Sequence, residues 1–193
     1  AMTGATTDLR VLRSLIEILQ NQGYQDLIVA EGPMTGYIDV DVLKYLGATK
    51  LCAEYGVPVL NLNKEKGTRV RLSTGSTVEI AEIVLRSRVI DLAKLKTHVL
   101  TTVTLGIKNL LGCIVGYDKR LIHLAGLDKS LVGLAKSIVP ALTIVEGMVG
   151  MEDRGPVAGH PIQSEVVISS HNLLAADLAA SLVMGIDPLS VRH

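Results

Sequence analysis

VIDLAKLKTHVLTTVTLGIKNLLG, residues 89–112, is the stretch whose reading decides the fold. It opens as an apolar strand, Val89-Ile90-Asp91-Leu92. Side chains alternate faces along an extended chain, so Lys94, Lys96 and His98 share one face while Leu95 and Thr97 take the other. The hydroxyl cluster Thr101, Thr102 and Thr104 then marks the start of a helix, because threonine oxygens can accept from the free N–H groups of a first turn. On that helix Thr101, Thr104 and Lys108 stand three and four residues apart and form one stripe. An apolar strand, a basic exit and a helix N-terminus together describe a place to hold an anion.

On either side of this stretch, helix and strand signals alternate. Leu9, Leu12, Leu15, Ile16 and Leu19 recur at helical spacing, opened by Thr7-Asp8 and closed near Gly23. Leu27 to Ala30 is short and continuously apolar, as a strand buried on both faces requires, and it ends in Glu31-Gly32-Pro33. Helical signals follow over Val40–Leu46 and Thr49–Tyr55, then a strand over Val57–Leu62. Thr68 to Ile80 alternates around Ser73-Thr74-Gly75-Ser76 and predicts a β-hairpin. Leu127–Ile138 predicts a helix, Ala141–Val145 a strand ending in Glu146-Gly147, and residues 148–156 a glycine-rich loop carrying acids. A strand at Val166–Ile168 and a helix from Asn172 to Met184 complete the pattern. The expected architecture is a single α/β domain over residues 1–193, with a mostly parallel central sheet flanked by helices and one small antiparallel hairpin.

Composition narrows the function classes. A chain of 193 residues with 48% hydrophobic content and a formal net charge of +0 can bury a real core. It offers no global charge for nucleic acid or a membrane surface. With no Trp, no Phe and five Tyr, it also lacks a base-stacking platform. Cys52 and Cys113 match no zinc or iron–sulfur spacing, so no iron–sulfur cluster is expected in this chain. No window is apolar enough to span a bilayer and no signal-peptide pattern opens the chain, which makes cytoplasmic the expected location.

The acids have a pattern of their own. Glu31 and Glu146 each follow a short apolar strand and precede a glycine. Ligands of open α/β sheets bind outside the carboxyl ends of the strands. If those strands run parallel to Val89–Leu92, then Glu31, Glu146 and the basic cluster gather at one edge. Lysines two apart on a strand lie about 7 Å from each other and repel by about 2 kcal/mol at an effective dielectric of ~20. A partly buried basic pair therefore needs an acid or an anionic ligand close by. His123, His160 and His171 have no paired ligand at fixed spacing, and His123 reads as a helix cap.

The run Lys94-Leu95-Lys96-Thr97-His98, with Thr104 and Ile107-Lys108-Asn109-Leu110 to Gly112, resembles the core signature of a widespread prokaryotic family, domain of unknown function 362. Glu31-Gly32-Pro33, Glu146-Gly147, Met151-Glu152, Gly155-Pro156, Asp177 and Gly185-Ile186-Asp187-Pro188 extend the resemblance over nearly the whole chain. The family has no settled activity, and some members carry ferredoxin-like clusters beside this domain. Similar chains usually have a strand before residue 1 and continue past His193.

The function expected from these residues is a strand-end pocket for a small anionic metabolite, carboxylate or phosphate, with enzymatic use of it. His98, Glu31 and Glu146 are the acid–base candidates, and the glutamates are also potential ligands for a divalent metal. Lys94, Lys96, Thr101, Thr104, Lys108 and Asn109 are the ligand-binding candidates. The alternative is a noncatalytic ligand-binding domain or an accessory to a redox partner. The expected partner is a small anionic molecule, with neither nucleic acid nor membrane; metal identity and oligomeric state are open.

Overall fold

The computed structural model describes residues 3–38 and 40–193. Helix α1 (Leu9–Asn21) starts where Asp8 accepts a hydrogen bond from the Arg10 N–H, and it buries Leu12 and Ile16. Strand β1 (Val29–Glu31) follows, then the short helices α2 (Val42–Tyr45) and α3 (Ala48–Glu54) and strand β2 (Val59–Asn61). Strands β3 (Gly67–Arg71) and β4 (Thr77–Ala81) make the expected antiparallel hairpin, with Val70 opposite Val78. Gly75 takes the left-handed turn position, φ 97°. Helix α4 (Glu82–Arg86) leads into strand β5 (Ile90–His98), strand β6 (Thr102–Val103) and helix α5 (Leu105–Asn109). Helices α6 (Lys119–Leu124) and α7 (Leu127–Ser137), strands β7 (Leu142–Glu152), β8 (His160–Ile162) and β9 (Val166–Ser170), and helix α8 (Leu173–Val183) complete the chain.

The fold is α/β. The two pairs joined through helices, β1–β2 and β5–β7, are parallel. Strands β6, β8 and β9 add to the β5–β7 pair in antiparallel sense, giving a five-stranded sheet. Three apolar clusters fill the layers. One lies between the hairpin and α7, around Ile80, Leu110, Ile114, Leu131 and Leu134. A second joins β5 and β7 to α8 through Ala93, Leu95, Val145, Ala176 and Ala180. The third packs α1 on α3 through Ile16, Leu51 and Cys52 and reaches β5 at Leu92. Among the described residues, no helix is long and apolar enough to cross a membrane.

Two expectations are corrected. Strand β1 pairs with β2 alone, so Glu31 and Glu146 do not end strands of one hydrogen-bonded sheet. And Met148–Glu152 is strand, the second half of β7, where a loop was expected. The glycines there serve close packing: a Cβ on Gly147 would stand 2.6 Å from Leu95 Cδ2, and one on Gly150 2.9 Å from Ser164 Oγ. Between the pairs Lys94↔Glu146 and Lys96↔Met151 the register slips, because β7 advances five residues while β5 advances two. This bulge lies where β5 turns basic, and such bulges re-aim side chains.

Candidate functional site

Lys94 and Glu146 are register neighbours on β5 and β7, and the Lys94 Nζ lies 2.6 Å from Glu146 Oε1. Their side chains are 4% and 0% exposed. The Asp8 N–H donates to the same oxygen at 2.9 Å, and the Met148 N–H donates to Oε2 at 3.2 Å. Both carboxylate oxygens thus have donors from the chain itself, which is what keeps a buried ion pair tolerable. The bond to Arg10 in turn holds the Asp8 carboxyl down at about 2.

Further along β5, Lys96 is half-buried and donates to the Ala5 carbonyl at 2.7 Å. Burial pushes its ammonium down, and the Glu31 carboxylate works against that. The Nδ1 of His98 accepts from the N–H groups of Leu100 (3.1 Å) and Thr101 (3.3 Å). That leaves the ring proton on Nε2. Burial, then the charges of Lys108 and Lys96, bring His98 down to about 4, so it is neutral at pH 7.

Lys108 stands one helical turn beyond Thr104, whose N–H donates to the Lys96 carbonyl at 2.9 Å. The Lys108 side chain is half-buried. Among the described residues no carboxylate lies within ion-pair distance of it. Burial and the neighbouring Lys96 push the amine down to about 8. His193, which feels the charge of Lys108, has both ring nitrogens buried without a partner.

The threonines do not cap the helix, contrary to expectation. Thr101 Oγ donates to the Val103 carbonyl at 2.9 Å. Thr104 holds the cap position without a side-chain capping bond, and its Oγ lies 3.5 Å from the Thr97 carbonyl. Thr102 is exposed at a φ of 65°. The reason is that the protein supplies its own anion. Asp177, from α8, accepts from the Gly106 N–H at 2.7 Å and the Ile107 N–H at 2.8 Å. Burial brings this carboxyl up to about 6 against the pull of those two bonds. Gly106 cannot carry a side chain here, since a Cβ would stand 2.8 Å from Asp91 Oδ2.

Opposite the lysines stands the Glu31-Gly32-Pro33 turn. Glu31 stays accessible to water, yet the protein crowds it closely enough that desolvation raises its carboxyl above the ordinary range. The charges of Lys119 and Lys96 favour its ionised form. The turn is fastened from below: Lys119 Nζ donates to the carbonyls of Gly32 (2.7 Å) and Pro33 (3.0 Å) and to Asn63 Oδ1 (2.6 Å). A Cβ on Gly32 would stand 1.9 Å from the Gly112 carbonyl, so Gly32 permits a close backbone approach.

Asn109 faces inward and donates to Asp91 Oδ1 at 2.7 Å. Asp91 Oδ2 and Thr143 Oγ1 are buried without a partner. Burial raises the Asp91 carboxyl to about 8, so it is largely protonated at neutral pH. Cys113, nearby, is pushed up to about 12 by burial and by Asp91 and Glu31, which makes it an inert thiol. Among the described residues, no group of three or more His, Cys, Asp and Glu side chains is placed to hold a metal ion. The loop after β7 is pinned to the end of β5: Thr97 Oγ donates to the Asp153 carbonyl at 2.9 Å and the Val99 N–H to the Gly155 carbonyl at 3.1 Å.

Of the candidates, the structure therefore brings Lys96, His98 and Lys108 into mutual electrostatic reach, and Glu31 into reach of Lys96. Glu146 with Lys94, and Asn109 with Asp91, are engaged by the protein itself. Lys119 and Asp91 were missed; Asp91 carried one signal, a charge set among apolar neighbours, whereas Lys119, between Asp118 and Arg120, carried none.

No solved structure matches the chain. A thylakoid-associated protein of Synechocystis sp. is 29% identical over 180 residues, covering 90% of this chain and 49% of that protein. The chain thus spans about half the length of this curated relative. The family described as a domain of unknown function, DUF362, matches residues 1–181, the span that holds the lysine run, the Glu31 turn and Asp177. By that match the chain belongs to the family of domain of unknown function 362.

Proposed function

We propose that this protein binds a small anion, phosphate or carboxylate, between Lys96, Lys108 and the Nε2 edge of His98, and acts on it with Glu31 as the acid–base group. The observation that carries the reading is Lys108, a half-buried amine beside a second lysine with no acid at ion-pair distance among the described residues. Like charges gathered in a partly desolvated place are unfavourable unless an anion joins them. Glu31 is the acid left for chemistry: it is water-accessible, its carboxyl is raised, and Lys96 weighs on it. Lys94 and Glu146 frame the site from inside the sheet.

Two charge-assisted bonds at roughly 1.5–3 kcal/mol each reach the roughly 4 kcal/mol of a millimolar complex. The test is calorimetric titration of phosphate and of succinate into the wild type, Lys96→Met and Lys108→Met. Methionine keeps the aliphatic stem and removes the charge. Affinity should fall about tenfold or more in each variant, with the melting temperature near that of the wild type. Equal affinity in all three proteins would remove the lysines from the site.

A further inference from the structure

We propose that Lys108 is a nucleophilic amine that condenses with the carbonyl group of a small keto acid whose carboxylate is held by Lys96 and His98; this rests on the anion site proposed above.

Among the described residues, four lysines are buried or half-buried around the site, and one of them has no partner. Lys94 is locked to Glu146 at 2.6 Å. Lys119 has three acceptors between 2.6 and 3.0 Å. Lys96 donates to the Ala5 carbonyl at 2.7 Å and is favoured as a cation by Glu31. Lys108 has no hydrogen-bond acceptor and no acid at ion-pair distance among the described residues, and the charge that weighs on it is another lysine's. A lysine becomes a nucleophile when it is desolvated or set beside a second cation. Lys108 has both conditions, and they bring it to about 8. An ammonium ordinarily near 10.4 is almost entirely protonated at neutral pH, whereas an amine near 8 is free in roughly one molecule in ten at pH 7.

The neighbours divide the remaining work. Lys96, whose cation Glu31 favours against the pull of burial, is the group for a carboxylate, while His98, neutral with its proton on Nε2, supplies a hydrogen bond. In the step itself the Lys108 Nζ bonds to the carbonyl carbon and the carbon–oxygen bond breaks. The oxygen leaves as water with both amine protons, and the imine forms without an oxidant or reductant. A proton then converts the imine to an iminium, which draws electrons from the adjacent carbon. Glu31, whose charge Lys96 feels, is the group assigned to exchange a proton there.

The experiment is reductive trapping. The 193-residue chain is incubated with pyruvate and sodium borohydride at pH 7.5, and the modified lysines are mapped by peptide mass spectrometry. Lys108 should carry the reduced imine about tenfold or more above the exposed Lys129. Phosphate should suppress labelling at Lys108 and leave Lys129 unchanged. Lys108→Arg lacks the nucleophilic amine, so labelling at this position should vanish while labelling of Lys129 stays as in the wild type. Labelling of Lys108 no greater than of Lys129 overturns the imine proposal. Phosphate binding, measured separately by calorimetry, then decides the anion site on its own. Should Lys108→Arg fail to fold, phosphate competition in the wild type still decides: no protection of Lys108 overturns the proposal.

Discussion

Lys94 and Glu146 are bound to each other at the centre of the parallel pair, and two backbone N–H groups use the oxygens that remain. These two residues from the strand-end pattern hold β5, β7 and the entry to α1 together. Removing one partner leaves an uncompensated buried charge, which costs about 3–5 kcal/mol. Glu146→Gln is expected to lose that much in urea denaturation, and Lys94→Met a similar amount. A Glu146→Gln protein with an unchanged midpoint would show that the pair does not support the fold.

Asp91 ties stability to pH. Its folded carboxyl, at about 8, lies above the ordinary 3.8, so between those values the native state binds more protons than the unfolded chain. Stability must then fall as pH rises. His98, held at about 4, has the opposite effect up to its ordinary 6.5, and Asp177, at about 6, adds its own decline below that value. Lys108 and Lys119 act above about 8. Asp91 acts throughout the window from 6.5 to 8, and Glu31, also raised by burial, acts in the same sense above its ordinary value. The wild type should lose roughly 1 kcal/mol per pH unit there, and Asp91→Asn distinctly less. Parallel pH profiles of the two proteins would refute this.

Anion affinity should fall with pH in the alkaline direction. An anion favours the ammonium form of Lys108, and that form is lost above about 8. Phosphate titrations at pH 7 and pH 9 should differ by about tenfold in affinity, and proton uptake on binding should appear as a buffer-dependent heat. Lys108→Met should abolish that buffer dependence.

The contact between Gly32 and Gly112 leaves no room for a methyl group, since a Cβ would stand 1.9 Å from a carbonyl oxygen. Gly32→Ala should cost about 1–3 kcal/mol of stability through the forced backbone shift. It should also displace Glu31 and weaken any reaction that uses it more than it weakens phosphate binding. A fully stable Gly32→Ala protein would mean that the turn relaxes freely.

The periodic elements were legible because their apolar patterns match their burial: α1, the β3–β4 hairpin, β5, α7 and α8 stand where the residues place them. The glycines of residues 147–150 misled, since a glycine needed for packing against Leu95 looks in sequence like a glycine needed for a turn. The helix at Lys119–Leu124 left too short a periodic signal to find. In the candidate site, the alternation put Lys94, Lys96 and His98 on one face. It could not show that Lys94 is closed off by Glu146 while Lys96 is not, because that difference comes from the bulge in β7. The threonines misled for a related reason: a helix terminus attracts an anion, but sequence spacing does not reveal that a carboxylate some 70 residues away, Asp177, already fills it.

Glu31 rides on the β1–β2 pair and the lysines on β5 and α5, and no ladder joins the two sheets. The gap between acid and amines is therefore not quantised by strand spacing, as it would be within one sheet. It is set by three local fasteners: the Gly32–Gly112 approach, the Lys119 ammonium, and the packing of Leu92 into the α1–α3 core. Each can change by a single substitution without re-registering a strand. At the proposed anion site, a substitution in one wall would thus change the size of molecule admitted while the lysines stay where they are.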